Sequence, residues 1–237
     1  MEKMKDLEVQ DIHIIYLDVT NDDSMISCVD DIIKKEGHID VLVNNAGYGS
    51  YGAIEDVSIE EAHHQFEVNL FGLGRMTQLV LPNMRKNNYG KIVNVSSMGG
   101  RVVTPFAGWY HASKFAVEGL SNVLRMEAGK FGIDVILIEP GIVKSEWSNI
   151  AADTLKKASK GGAYEEDSVR YANSLKEMYL QKGVSDPELI ARTIGKAVTA
   201  KKPKIRYLRG YCAKLCVFLN RLLGERIYSI VIQKIMQ

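Results

Sequence analysis

The sequence has only three cysteines in 237 residues, Cys28, Cys212 and Cys216. They are too few and too scattered for a disulfide framework, and they fit a reducing compartment. Cys212 and Cys216 stand four apart, on one face of an expected helix, with no further ligands nearby. They read as small core residues, and no metal site is expected. Long apolar runs are missing as well, so nothing has the length of a membrane span. The start, MEKMKDLEVQD, carries charge where a secretory leader has its apolar stretch, which makes the cytoplasm the expected compartment. An excess of one charge is also absent. The net charge is +1, so no basic field points to nucleic acid. Repeats and low-complexity segments are lacking too. What remains is 46% hydrophobic and 25% charged, the balance of one ordinary α/β domain over residues 1–237.

Short apolar runs alternate with longer amphipathic ones. Residues 12–19 (IHIIYLDV), 39–43 (IDVLV), 91–95 (KIVNV), 133–139 (IDVILIE) and 205–208 read as strands. Residues 21–36 read as a helix with Met25, Ile26, Val29, Ile32 and Ile33 on one face. Ser58 and Glu61 form a capping box that opens a helical stretch running towards Pro82. Residues 110–131 are helical by period. Ser185, Asp186, Pro187 and Glu188 mark another helix start with a second capping box, and the tail is helical. Strands that are apolar on both faces and alternate with helices predict a parallel sheet covered on both sides, the doubly wound α/β arrangement. In such sheets, function gathers beyond the carboxyl ends of the strands.

Those ends carry Asp18-Val19, Asn44-Asn45-Ala46-Gly47, Ser96-Ser97 and Pro140-Gly141. Each taken alone is turn chemistry; together they outline one crevice. Tyr110 and Lys114 follow at i, i+4 and share a helix face. A phenol is a poor acid at neutral pH, with a pKa near 10. A cation about 4 Å away is worth ~4 kcal/mol at an effective dielectric near 20, or about three pKa units. A lysine one turn along therefore moves a tyrosine towards the range for proton transfer. With 11 tyrosines, about one Tyr-x-x-x-Lys is expected by chance, so the pair gains meaning from its surroundings. Ser97 stands at a strand end thirteen residues earlier, and Asn69 lies on the preceding long helix.

NNAG at 44–47, the asparagine of VNLFG, SS before MGG, YHASK at 110–114 and PGIV at 140–143 occur in an order and spacing that resemble the short-chain dehydrogenase/reductase family over nearly the whole chain. The resemblance implies a Rossmann-like fold. It also implies NAD or NADP as cofactor and a small-molecule alcohol or carbonyl as substrate. Tyr110 would exchange a proton with the substrate oxygen, and Lys114 would lower its pKa and hold the nicotinamide ribose. Ser97 would hydrogen-bond the substrate oxygen, and Asn69 would hold a water in a proton relay or satisfy local backbone at a helix kink. Asp18 and Val19 would touch the adenine. Asn45, Ala46 and Gly47 would let the backbone approach the cofactor. Pro140, Gly141 and Val143 would meet its nicotinamide end, joined by Ser145, where the family has threonine. A homo-oligomer is expected.

The resemblance to the 17β-hydroxysteroid-dehydrogenase-like branch rests on YGSYGAIED and the basic, apolar tail. Within 146–183, Trp147, Tyr164, Tyr171, Met178 and Tyr179 would line a substrate pocket or form the buried faces of two helices. Trp109 would line the pocket or pack. His63 and His64 are adjacent, face different sides of a helix and read as surface residues. The tail from Lys201 onward alternates Arg206, Arg209, Lys214, Arg221 and Arg226 with apolar residues. It would pack on the domain or a dimer partner, or contact a membrane surface.

A complete relative opens with a strand, a TGxxxGxG turn and a helix, and this sequence has no such turn. Roughly 30–40 residues, about one βαβ unit, are expected to be missing, and 12–19 would then lack a strand to pair with. A non-catalytic homologue unable to bind cofactor is the alternative reading.

Overall fold

The computed structural model describes residues 12–236. Four parallel strands form one sheet in the order β1 (Val41–Asn44), β2 (Gly90–Val95), β3 (Ile133–Pro140), β4 (Arg206–Arg209). Helices α1 (Asp22–Glu36), α3 (Gly72–Asn87) and α4 (Gly108–Ala128) cover one face. Their Met25, Val29, Met76, Val80, Met84 and Leu124 pack on Ile92, Ile133 and Val135. Helix α7 (Pro187–Thr199) covers the other face, where Ile190, Ile194 and Ala197 meet Val93, Ile136 and Ile138. Alternate residues of β2 and β3 thus point into two separate cores, as strands apolar throughout require. The fold is the Rossmann-like parallel sheet with helices on both sides. Lys91, buried at the start of β2, closes the far end of α7 by donating to the carbonyls of Val198 and Ala200, each at 2.6 Å.

The expected strand at 12–19 does not form. Ile12, Ile15, Tyr16 and Leu17 lie exposed in an extended loop, Tyr16 at 75%. A strand exists by pairing, and no ladder partner stands beside this segment among the described residues. Its end serves the next helix instead. The Asp18 carboxylate accepts from the amide and hydroxyl of Thr20, and Asn21 caps α1 by accepting from the Ser24 amide.

Other boundaries shift for visible reasons. The strand expected at 39–43 becomes Val41–Asn44, since the Ile39 amide is taken by Asn83 Oδ1 at 3.0 Å. The long helical stretch forms as α2 (Ile59–Phe66), a π-helical turn Glu67–Phe71 and α3, which continues past Pro82 to Asn87. Ser58 caps α2 by accepting from the Glu61 amide, but the Glu61 carboxylate takes the Tyr48 hydroxyl instead of closing a capping box. The box expected at Ser185 and Glu188 is absent. Asp186 is the N-cap residue and its carboxylate binds Lys144, while Glu188 pairs with Arg192. Cys212 is not on a helix face: it precedes α8 (Ala213–Met236) with φ 60°. Helix α8 is broken at Gly224, where φ 70° and ψ 163° suit glycine alone.

Candidate active site

Four chain segments leave the carboxyl ends of the strands and meet at one cavity of about 860 Å³. The strand ends are fixed by a buried ladder of side chains. Asn44 donates to Asn94 Oδ1 at 2.9 Å and to Thr77 at 3.2 Å, and Asn94 donates to Ser121 at 2.9 Å. This ladder ties β1, β2, α3 and α4 together immediately below the site. Sequence reading missed it, although polar residues inside two otherwise apolar strands were a usable signal.

After β1, residues 45–47 are exposed, and Asn45 and Gly47 line the cavity. Asn69 sits in the π-helical turn, 1% exposed. Its Oδ1 accepts from the Tyr48 amide, and its Nδ2 donates to the Tyr48 carbonyl and to Ser113 Oγ, all at 3.0 Å. It therefore clamps the loop after β1 to α4. A Cβ on Gly47 would stand 3.0 Å from Asn69 Oδ1 and 3.4 Å from Lys114 Nζ, so both groups flank a space that glycine keeps clear. Gly49 does the same for Trp147: a Cβ there would come 2.5 Å from its ring.

After β2, Ser97 caps the short 3₁₀ turn Met98–Gly100, with its hydroxyl accepting from the Gly99 amide at 3.0 Å. Helix α4 then brings Tyr110 and Lys114 to the same place, both buried. Tyr110 is pushed up to about 12 by burial, and a hydrogen bond with Ser97 pulls it back down. Lys114 is lowered to about 8 by burial, with Glu118 opposing. The lowering expected for Tyr110 is thus not found. The Lys114 ammonium lies 6.0 Å from the Tyr110 ring centre and donates to the Val95 carbonyl at 3.1 Å, so its charge is directed elsewhere.

His111 is the buried neighbour. The Thr104 amide donates to its Nε2 at 3.0 Å, so Nδ1 carries the proton and donates to the Gly99 carbonyl at 2.8 Å. Burial lowers its pKa, and the neutral ring holds the loop between Ser97 and α4. After β3, the Gly141 amide donates to the Arg209 carbonyl at 2.7 Å, and a Cβ on Gly141 would lie 2.4 Å from the Tyr211 carbonyl. Only glycine lets this turn run so close to β4.

Asn45, Gly47, Ser97, Tyr110, Lys114, Pro140, Gly141, Val143 and Ser145 all line the one cavity. Ala46 lies beside it, and Asn69 stands behind Gly47. Asp18 and Val19 are apart from it. The Val19 carbonyl packs at Gly72, where a Cβ would come within 2.4 Å. Trp109 packs edge-on against Phe66 and is not part of the lining, whereas Trp147, Tyr171, Met178 and Tyr179 are. These four come from α5 (Trp147–Ala158) and α6 (Glu165–Leu180), and they form pocket wall and helix core at once. Tyr164 packs on Phe106, and His63 and His64 are exposed. Cys212 and Cys216 are half-buried and face the cavity rather than the core.

A family model for the short chain dehydrogenase matches residues 1–155. Over 213 residues the chain is 39% identical to a probable short-chain type dehydrogenase/reductase, VdlC, of Helicobacter pylori, covering 90% of this chain and 77% of that protein. The crystal structure of a short-chain dehydrogenase from Streptomyces avermitilis matches with a TM-score of 0.78 and 29% identity, covering 99% of this chain and 84% of that one. The closed form of a serine dehydrogenase complexed with NADP+ matches with a TM-score of 0.75 and 25% identity, covering 89% and 80%. With this family match, these identities and the shared fold, the chain belongs to the short-chain dehydrogenase/reductase family.

Proposed function

We propose that this protein is an NAD(P)-dependent oxidoreductase that interconverts a small-molecule alcohol and its ketone or aldehyde. One observation carries the reading: Ser97, Tyr110 and Lys114 line the same cavity beside the bare backbone of Gly47. That space suits the nicotinamide end of a dinucleotide, because Asn69 Oδ1 and Lys114 Nζ flank a gap where any side chain would intrude. Lys114 and Tyr110 would hold the ribose, with Asn45, Ala46 and Gly47 beneath it. Pro140, Gly141, Val143 and Ser145 would border the carboxamide, and Asp18 and Val19 the adenine. When bound, the nicotinamide supplies or accepts the hydride.

In reduction, Tyr110 gives its phenolic proton to the carbonyl oxygen while the carbon gains the hydride. Ser97 donates a hydrogen bond to the same oxygen as negative charge grows there. In oxidation, Tyr110 takes the alcohol proton. Lys114, with a pKa of about 8, exchanges protons near neutrality and can recharge the phenol. Asn69 acts as a positioning residue through Tyr48 and Ser113, and its Oδ1, opposite Lys114 across Gly47, supports a water relay to solvent.

The test is oxidation of NADPH or NADH by the purified full chain with a panel of ketones and aldehydes. Activity lost on Tyr110→Phe with folding retained supports the reading; a folded wild type inert with both cofactors sinks it. Two association surfaces accompany the reading. Phe115, Val123 and Met126 form an exposed apolar stripe on α4, which supports a homo-oligomer. On α8, Lys214 and Arg221 stand among exposed Leu215, Phe218 and Leu222, which supports contact with an anionic membrane surface. Sedimentation and pelleting with anionic vesicles test them separately.

A further inference from the structure

The cavity extends well beyond the reacting groups. From Ser97 and Tyr110 it passes Trp147, Tyr171 and Tyr179 and ends under α8, where Leu219, Leu223, Val231 and Ile232 line it. These four come from both sides of the break at Gly224. The break lets one helix turn two apolar segments onto the same chamber. Asn45, Gly47, Lys114 and Val143 mark the share assigned above to the nicotinamide end; the share lined by α8 lies beyond the reacting groups, where a two- or three-carbon substrate would not reach.

One residue at that far end is out of character. Tyr228 belongs to the same wall and is 2% exposed, yet its hydroxyl has no hydrogen-bond partner among the described residues. Burial pushes the phenol up to about 12, with Cys216 and Tyr171, two other lining residues, acting in the same direction. Its hydroxyl oxygen is shielded from bulk water, on a residue that lines the cavity. Native proteins leave few buried hydroxyls unmatched, and each invites an explanation. A pocket that is mostly apolar with a few polar groups is how orientation of a ligand is fixed.

We infer that the substrate is an elongated apolar carbonyl or alcohol whose reacting carbon lies at Ser97 and Tyr110, whose body lies under α8, and whose second hydrogen-bonding group, remote from the first, meets the hydroxyl of Tyr228. The inference rests on the oxidoreductase reading only for which end reacts.

The test measures binding and turnover separately on the full chain. Tryptophan fluorescence, with Trp147 in the wall, follows titration with butan-2-one, undecan-2-one and 11-hydroxyundecan-2-one; oxidation of NADPH and of NADH is followed with the same three. Undecan-2-one is expected to bind at least about a hundredfold more tightly than butan-2-one. The terminal hydroxyl is expected to add a further gain of about tenfold. Tyr228→Phe should erase that last gain and leave undecan-2-one unchanged. Equal binding of the short and long ketones by the wild type overturns the inference without need of any variant, as does a hydroxyl gain that survives Tyr228→Phe. Binding in the expected order without oxidation of either NADPH or NADH upholds this inference and overturns the oxidoreductase reading. Turnover with no preference for length does the reverse.

Discussion

At one end of the cavity, Asn69, Ser97, Ser113 and Lys114 direct their polar atoms to backbone in four separate places: Tyr48, Gly99, Tyr110 and Val95. At the other, Leu219, Leu223, Val231 and Ile232 offer no polar atom, and the one hydroxyl among them is unmatched. The first end is held by directional bonds, so small displacements are resisted and reacting groups keep their places. The second is held by packing, which tolerates change of shape and selects by size. The two ends of one chamber are thus held by different physical forces, which is the division the proposed chemistry and selectivity would use.

Substitutions should separate the two ends. The largest effect is expected from Tyr110→Phe, a loss of about 10²–10⁴ in kcat/KM with the thermal transition nearly unmoved, measured by steady-state kinetics and calorimetry. If stability falls as much as activity, the polar end is not the rigid, dispensable-for-folding site described. Leu155→Ala acts on the packed side. Leu155 is fully buried between α5 and α6 beside Tyr51 and Tyr110, and its loss should cost about 2–5 kcal/mol in urea unfolding, with turnover at saturating substrate largely kept. Asn69→Ala crosses the divide. It strands the Tyr48 amide and leaves the Tyr48 carbonyl only the longer bond from Gln65 at 3.4 Å, so about 1–3 kcal/mol of stability should go, and with it the alignment of the loop under Gly47.

The smallest effect is a matter of pH. His111 must stay neutral to accept from the Thr104 amide, and burial lowers its folded pKa below the value of about 6.5 in the unfolded chain. The unfolded chain therefore binds the proton first, and stability present above that pH is lost as pH falls below it. Stability is therefore expected to fall between pH 7 and 5.5 through this residue. Denaturant unfolding of wild type and His111→Gln at both pH values should show a shallower pH dependence in the variant.

How much of this was legible depended on the kind of signal. Asn45, Gly47, Ser97, Tyr110, Lys114 and Gly141 could be read because each sits at a strand or helix end that the apolar periodicity already located. The α8 wall could not. Leu219, Leu223, Val231 and Ile232 look like the buried stripe of any amphipathic helix, and what they face is set by the positive-φ turn at Gly210 and Cys212 and by the break at Gly224. Residues 12–19 misled in the opposite way. Their short apolar run is that of a strand, but pairing is a property of two segments and is written in neither alone. The capping box expected at Ser185 and Glu188 fails in a related way: the Asp186 carboxylate is drawn to Lys144, distant in sequence, and the Glu188 carboxylate to Arg192 one turn along.

The buried charges beside the sheet lead one step further. Glu139, 1% exposed, binds Arg101 and Arg206, and Arg206 also binds Glu118 on α4. Glu118 lies one turn beyond Lys114 and is the group that props up the lysine's hold on its proton. β4, which carries Arg206, leads directly into α8. The α8 wall and Lys114, for which a part in proton supply is proposed above, are therefore linked through β4, Arg206 and Glu118. A displacement of the tail that carried Arg206 with it would change the charge that Lys114 meets through Glu118.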